Sequence, residues 1–168
     1  LVLQIADDAT KLAKYSNVRI LTVFGGMDYQ KQKNQLNGKV IDIVVATPGR
    51  LLDFNSKKDI DLRQVEVMVI DEADRMLDMG FIPDVRRIIR STPPKHKRQT
   101  LLFSATVPPT VLNLASSWTK DAVSIEIAPE QVAVDTVEQV VYIVTTEAKR
   151  TLLYNILTSQ PMEQVIVF

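Results

Sequence analysis

The chain contains the stretch Val67-Met68-Val69-Ile70-Asp71-Glu72-Ala73-Asp74, in which four apolar residues lead directly into three carboxylates. An apolar run that does not alternate with polar residues predicts a strand buried on both faces, the kind found in parallel sheets. Ligands of open α/β sheets bind beside the carboxyl ends of such strands. Asp71 and Glu72 are therefore expected where a phosphate-bound metal ion would be held.

These carboxylates suit magnesium and phosphate chemistry. Mg²⁺ keeps several of its waters and is usually held by one or two carboxylates together with substrate phosphates. Asp71, at the strand end, is the candidate metal-side carboxylate. Glu72 leaves the backbone in a different direction, which suits orienting or deprotonating the water that attacks a γ-phosphate, and Asp74 can bond the rest of the site. The alternative is an acidic turn at a helix N-terminus, where carboxylates are also favoured.

A second apolar run, residues 41–46, ends in Thr47-Pro48-Gly49-Arg50. Gly49 permits close approach of the backbone to a ligand. A helix that starts here offers free N–H groups to a phosphate, and Arg50 adds a permanent positive charge. Taken alone, this segment is an ordinary turn.

Two weaker elements follow other apolar strands. They are Ser104-Ala105-Thr106, after residues 101–103, and Gly25-Gly26, after Phe24. Neither is informative alone, because small polar residues and glycine pairs are common at strand ends. Their order is more telling. Every polar element of this set follows an apolar strand, so the sequence predicts that they lie along the same edge of one parallel sheet.

Together, these segments resemble the motifs of the DEAD-box RNA helicases, in that family's order: the Gly-Gly element, motif Ib, motif II (the Walker B motif) and motif III. Two further segments are similar to the family. Arg75-Met76-Leu77-Asp78-Met79-Gly80-Phe81 follows motif II as it does there, and Val165-Ile166-Val167-Phe168 resembles the start of motif IV. The resemblance covers essentially the whole chain. The residues within and around the motifs favour a bacterial branch of the family.

The resemblance implies a role for each motif residue. Asp71 would act on Mg²⁺, through a water molecule, and Glu72 would activate the water that hydrolyses ATP. Asp74 would bond Ser104 and Thr106 and so couple the ATP state to strand separation. The residues that would contact the RNA backbone are Gly25, Gly26, Thr47, Pro48, Gly49 and Arg50. Such contacts position a nucleic acid without reading its sequence.

The resemblance also implies a setting for the parent protein. It would be an RNA-dependent ATPase that uses ATP and Mg²⁺ to unwind RNA duplexes locally or to remodel RNA–protein particles in the cytoplasm. Its partners would be single-stranded or duplex RNA, held through the sugar-phosphate backbone, and an RNA-processing or degradation complex, with no membrane involved.

Composition limits the classes of function. Of the 168 residues, 46% are hydrophobic and 24% charged, and the formal net charge is zero. The lack of a bulk basic charge argues against a dedicated nucleic-acid-binding module but is compatible with an enzyme that grips RNA through a few local groups. Because the sequence has no cysteine, disulfides and cysteine-based zinc sites are excluded. No apolar run approaches the roughly 20 residues that span a bilayer.

Alternating strands and helices predict an α/β fold with a parallel sheet covered by helices. The resemblance makes this a RecA-like domain of the P-loop NTPase type, over residues 1–127, with its last strand at 123–127. Pro129 and its polar neighbours predict a linker over residues 128–136. Residues 137–168 then predict the beginning of a second RecA-like domain, with strands at 137–144 and 165–168 and a helix between them.

One departure from the family bears on activity. The sequence has no Gly-x-x-x-x-Gly-Lys-Ser/Thr phosphate loop, the Walker A element, and no motif V or VI. We therefore expect a truncated first domain, part of a longer protein, that alone hydrolyses ATP at a negligible rate. Two other interpretations stay open: a non-catalytic helicase relic that binds RNA or a partner, and a nuclease that uses the carboxylates of residues 71–74 for two metal ions.

Overall fold

The computed structural model describes residues 1–36, 40–127, 138, 140–159 and 164–167. The helices and strands in these ranges are α1 (Val2–Leu12), β1 (Ile20–Val23), α2 (Tyr29–Asn34), β2 (Ile43–Ala46), α3 (Pro48–Ser56), β3 (Val67–Ile70), α4 (Ala73–Asp78), α5 (Ile82–Ser91), β4 (Gln99–Leu102), α6 (Pro109–Trp118) and α7 (Thr146–Ser159). None of these helices combines the length and the apolar character needed to cross a membrane.

The strands form two parallel pairs. β1 lies beside β2, so that Val23 is opposite Ala46, and β3 lies beside β4, so that Ile70 is opposite Leu102. Parallel strands joined through helices agree with the expected α/β class. The single sheet that the sequence predicted is instead two separate pairs, because no described strand bridges β2 and β3. Two strands alone make a marginal sheet, so the helices supply much of the cohesion.

Two apolar clusters hold the helices against the strands. The first packs α3 against β1 and contains Leu21, Val23 and the fully buried Phe54. The second joins the end of β3 to α4, α5 and α6. Trp118 belongs to this second cluster and is 6% exposed, so it is a core residue. Met68 of β3 packs against both clusters and links them.

The strand predicted at residues 123–127 is absent, and that prediction is wrong. Residues 122–127 have no regular structure, and Val123, Ile125 and Ile127 are 85% to 90% exposed. Their alternation satisfies the pattern of a strand, but a strand also needs a neighbour for its backbone N–H and C=O groups. No described strand pairs with this segment.

The chain divides into two compact units, Leu1–Ser124 and Ile125–Phe168. In the second unit the expected helix is present as α7, with Leu152 and Ile156 half-buried and no fully buried side chain. The strands predicted on either side of it are wrong over the described residues, because 138, 140–144 and 164–167 have no strand structure and no described strand to pair with. The predicted linker, 128–136, and residues 137, 139 and 168 of the predicted strands lie outside the described residues.

Candidate nucleotide and RNA site

Motifs II and III follow two strands that are hydrogen-bonded to each other. Phe103 N donates to Ile70 O at 2.8 Å, and Ala73 N donates to Phe103 O at 3.0 Å. The ladder between β3 and β4 therefore continues beyond the ends of the strands. This holds the carboxylates that follow Ile70 and the hydroxyls that follow Phe103 at the same edge of the sheet, as the sequence predicted.

The backbone turns sharply between β3 and α4, at Glu72. This residue has φ 50° and ψ 49°, in the left-handed region, which is uncommon for a residue with a side chain. The Glu72 N–H donates to Asp71 Oδ1 at 2.9 Å, which steadies the turn. Arg75 Nη1 contacts Glu72 Oε2 at 2.9 Å, but the two side chains are 67% and 38% exposed and such pairs contribute little stability. The neighbouring carboxylates thus have different partners, which suits different roles.

Asp74 connects motif II to motif III. Its Oδ2 accepts hydrogen bonds from Thr106 N and Thr106 Oγ1, both at 2.8 Å, and its own N–H donates to Ser104 Oγ at 3.1 Å. Ser104 Oγ donates in turn to Thr106 O at 2.7 Å. The bonds from Thr106 lower the pKa of Asp74 to about 2, so its carboxylate is ionised at neutral pH. The structure therefore brings together the three residues to which the resemblance assigned coupling.

The Gly-Gly element and motif Ib follow the other pair of strands. Thr47 N donates to Val23 O at 3.0 Å, which continues the β1–β2 ladder. Helix α3 begins at Pro48, a residue suited to a first helical position because its missing N–H has no partner there anyway. Thr47 is the N-cap residue, and its side chain makes no capping hydrogen bond. Its hydroxyl is therefore not committed to the helix.

The motif glycines leave the backbone open. Gly26 has φ +83°, a conformation that residues with a side chain rarely adopt. A Cβ added to Gly25 or Gly26 would meet no atom within 4 Å, and one added to Gly49 would lie 3.9 Å from Asp84 Oδ2, an ordinary contact. Packing inside the protein thus explains neither Gly25 nor Gly49. Close approach of a ligand would explain both.

Arg50 is engaged inside the protein. Its Nε donates to Phe24 O at 3.2 Å and its Nη2 to Met27 O at 2.5 Å. The guanidinium carbon lies 5.8 Å from the centre of the Tyr29 ring, and the side chain is only 16% exposed. The Arg50 guanidinium therefore already has hydrogen-bond partners within the protein.

The structure adds one residue that the motifs did not indicate. Gln32 is 1% exposed although it belongs to the polar helix α2. Its Oε1 accepts from Phe24 N at 3.1 Å, and its Nε2 donates to Phe24 O at 2.9 Å. Burial of an amide is tolerated because both of its ends are bonded. The sequence signal was slight: a glutamine three residues after Tyr29, on the same helical face.

The carboxylates at the end of β3 fit a metal ion that is bound together with the phosphates of a substrate. Within the described ranges, no three or more His, Cys, Asp or Glu side chains group closely enough to hold a metal ion by themselves. Mg²⁺ needs only one or two carboxylates when substrate phosphates and waters complete its shell. Asp71, half-buried at the strand end, is of the right type and in the right place to supply one.

Comparison with known proteins identifies the family. The profile of the DEAD/DEAH box helicases matches residues 1–114, and the chain belongs to this family. The ATP-dependent RNA helicase RhlB of Pseudomonas aeruginosa (strain UCBPP-PA14) is 58% identical over 168 residues, which are all of this chain and 42% of that protein. RhlB of Pseudomonas putida is 57% identical with the same coverage, and RhlB of Xanthomonas axonopodis pv. citri is 39% identical over 29% of its length.

These relatives are RhlB helicases of bacteria, which agrees with the bacterial branch that the motif sequences favoured. The chain spans 42% of the length of the two Pseudomonas proteins. It therefore corresponds to less than half of such a helicase.

Two solved structures are similar to the fold. A hypothetical ATP-dependent RNA helicase from Sulfolobus tokodaii matches with a TM-score of 0.64 and 40% identity, over 71% of this chain and 35% of that one. A DEAD box protein from the hyperthermophile Methanococcus jannaschii matches with a TM-score of 0.65 and 42% identity, over 71% of this chain and 32% of that one. The predicted RecA-like class, in truncated form, is confirmed.

Proposed function

We propose that the full-length protein is an ATP-dependent RNA helicase, which couples ATP hydrolysis to local unwinding of RNA duplexes or to remodelling of RNA–protein particles. The main support is the hydrogen-bonded link from Asp74 to Ser104 and Thr106, because it joins the carboxylate motif to the end of the neighbouring strand. Membership of the family adds to that support. Since the chain spans 42% of its Pseudomonas relatives, the proposal concerns the whole protein.

In this proposal each carboxylate of motif II has a different role. Asp71 would hold Mg²⁺ through a water molecule when the phosphates of ATP are bound, and the ion would supply positive charge to offset the negative charge that develops on those phosphates. Glu72 orients and deprotonates the water that attacks the γ-phosphate. Asp74 passes the state of the nucleotide to Ser104 and Thr106.

RNA is held by its sugar-phosphate backbone at the Gly-Gly loop and at the start of α3. This surface is formed by Gly25, Gly26, Thr47, Pro48, Gly49 and Arg50. Its direct contacts would come from the open glycine backbone and the free N–H groups of the first turn of α3, which suit phosphate oxygens. A few such contacts are compatible with a formal net charge of zero.

The proposal extends to the rest of the protein. Residues 137–168 begin a second RecA-like domain after the linker at 128–136. A cytoplasmic location agrees with a sequence that has no cysteine. We also propose that the protein works within an RNA-processing or degradation complex.

The test is Glu72→Gln in the full-length protein. The amide keeps the shape of the side chain and an oxygen for Arg75 but cannot take a proton. We expect RNA-stimulated ATP hydrolysis to fall by roughly 10²- to 10⁴-fold, the usual contribution of a general base, while binding of ATP and of RNA is retained. Glu66→Gln, at an exposed position just before β3, is the control and should hydrolyse ATP normally. Wild-type turnover by Glu72→Gln would reject the assignment.

The other two interpretations predict different results for the wild-type protein. A non-catalytic relic would bind RNA with an affinity that ATP does not change. A nuclease would cleave RNA with Mn²⁺ or Ca²⁺ in the absence of nucleotide. Neither is favoured, because the family and the relatives are helicases.

A further inference from the structure

A buried side chain fixes the residue that precedes the glycine pair. Gln32 bonds both the N–H and the carbonyl of Phe24, and Phe24 directly precedes Gly25. An amide that donates and accepts on the same residue allows only one orientation of that residue's backbone, because rotation would place donor against donor or acceptor against acceptor. Gln32 therefore sets the direction in which the chain enters the loop.

Arg50 holds both sides of the same loop. Its Nε donates to the Phe24 carbonyl that Gln32 also bonds, and its Nη2 donates to the carbonyl of Met27. Phe24 and Met27 flank Gly25-Gly26, so the guanidinium spans the glycine pair. A lysine could not do this, because its single ammonium group lacks the wide fork of donors.

The guanidinium is itself held in place by Tyr29. It lies over the Tyr29 ring, which stacks on the buried Phe54 with 4.4 Å between ring centres. The Tyr29 hydroxyl donates to Asp59, and Lys57 Nζ lies 3.8 Å above the ring. Burial and the bond to Asp59 raise the pKa of Tyr29 to about 12, so it remains a donor at neutral pH.

Neither glycine is confined on the side where a Cβ would stand, since no atom outside the adjacent residues lies within 4 Å of that position. The shape of the loop therefore depends on its anchors at Phe24 and Met27. We propose that Gln32 and Arg50 are positioning residues that hold the Gly25-Gly26 loop in the shape that meets an RNA backbone, and that the Arg50 side chain does not itself pair with a phosphate. This inference rests on the proposed RNA-binding function.

The first test is Gln32→Met in the full-length protein, with Gln30→Met as its control on the exposed side of the same helix. Methionine keeps the volume and removes both bonds to Phe24. We expect KM for a single-stranded oligouridine RNA to rise roughly tenfold, the size of one or two neutral hydrogen bonds. The KM for ATP and kcat at saturating RNA should stay within about twofold of wild type. A general loss of structure would instead change all three quantities.

The second test separates a positioning role of Arg50 from a phosphate contact and does not depend on the folding of the Gln32 variant. Arg50→Lys keeps the charge, and Arg50→Ala removes it. We expect both to weaken binding of a fluorescent oligouridine RNA roughly tenfold, with wild-type slopes of log affinity against log salt. If Arg50 neutralised a phosphate, Arg50→Lys would bind like wild type and Arg50→Ala would have a slope shallower by about 0.7.

The results distinguish this inference from the proposed function on which it rests. If the wild-type protein binds RNA and Gln32→Met or Arg50→Lys binds it equally well, the positioning role is wrong and the helicase proposal stands. If the wild-type protein neither binds oligouridine RNA nor hydrolyses ATP in its presence, the helicase proposal fails first.

Discussion

Asp74 is the carboxylate that links motif II to motif III through hydrogen bonds to Ser104 and Thr106. Hydrogen bonds from Thr106 lower its pKa from 3.8 to about 2. A carboxyl whose pKa is lower in the folded than in the unfolded state adds stability above the unfolded value and loses that contribution as the pH falls through the folded value. The stabilising effect of Asp74 should therefore be complete at neutral pH and disappear between about pH 4 and about pH 2.

Asp74→Asn tests this pH dependence. The variant should have a lower free energy of unfolding than wild type at pH 7, and the difference should shrink as the pH is lowered towards 2, because the wild-type carboxylate then becomes protonated. Urea unfolding followed by circular dichroism at several pH values measures both proteins. Asp78→Asn, an exposed carboxylate of the same helix, controls for the loss of one negative charge. A difference that is constant across this range would show that the charge of Asp74 is unimportant.

The residues of this site differ in how far the sequence could predict them. The bonding of Asp74 to Ser104 and Thr106 joins positions 30 and 32 residues apart, and only the family resemblance implied it. The sequence did not indicate Gln32, because its hydrogen bonds depend on where the fold places the backbone of Phe24. The left-handed backbone of Glu72 was missed as well, since glutamate has no preference for it.

At the level of secondary-structure elements, the hydrogen-bonded link between the ends of β3 and β4 can be tested by mutation. Replacing Ser104 and Thr106 together by alanine removes the two hydroxyls that bond the backbone N–H and the carboxylate of Asp74, but leaves Asp71 and Glu72 intact. We expect the full-length double variant to retain RNA-stimulated ATPase activity and to lose duplex unwinding, because ATP hydrolysis would no longer be coupled to strand separation.

Both activities should be measured on one preparation, with a short RNA duplex as the unwinding substrate. Thr110→Ala removes an exposed hydroxyl from the first turn of α6 and should leave both activities unchanged. If the double variant keeps ATPase activity and unwinding together, Asp74 does not couple them through these hydroxyls.

The strands that the sequence predicted correctly are those that have a partner strand among the described residues. Strands β1 to β4 were each indicated by an apolar run, and each has a parallel neighbour to complete its backbone hydrogen bonds. Residues 123–127 have an equally strand-like pattern but no described strand beside them. Side-chain pattern thus indicates a tendency to form a strand, and pairing decides whether one forms.

Across the whole chain, the two compact units differ in how much they bury. Helix α6 contributes Val111, Leu114 and Trp118 to the core of the first unit, whereas α7 has no fully buried side chain. Local opening costs more free energy where more buried contacts must be broken. The amides of α7 should therefore exchange with solvent faster than those of α6 in the chain of residues 1–168.

Hydrogen exchange followed by mass spectrometry on peptides from each helix measures this difference. Helix α5, which buries Ile82, Val85 and Ile88, is the matched control within the first unit and should be protected about as well as α6. Equal protection of α7 and α6 would mean that residues 125–168 are stabilised by contacts that the burial of their side chains does not reveal. Slow exchange in α6 with fast exchange in α7 would identify the first unit, which carries motifs II and III, as the stable part of the chain.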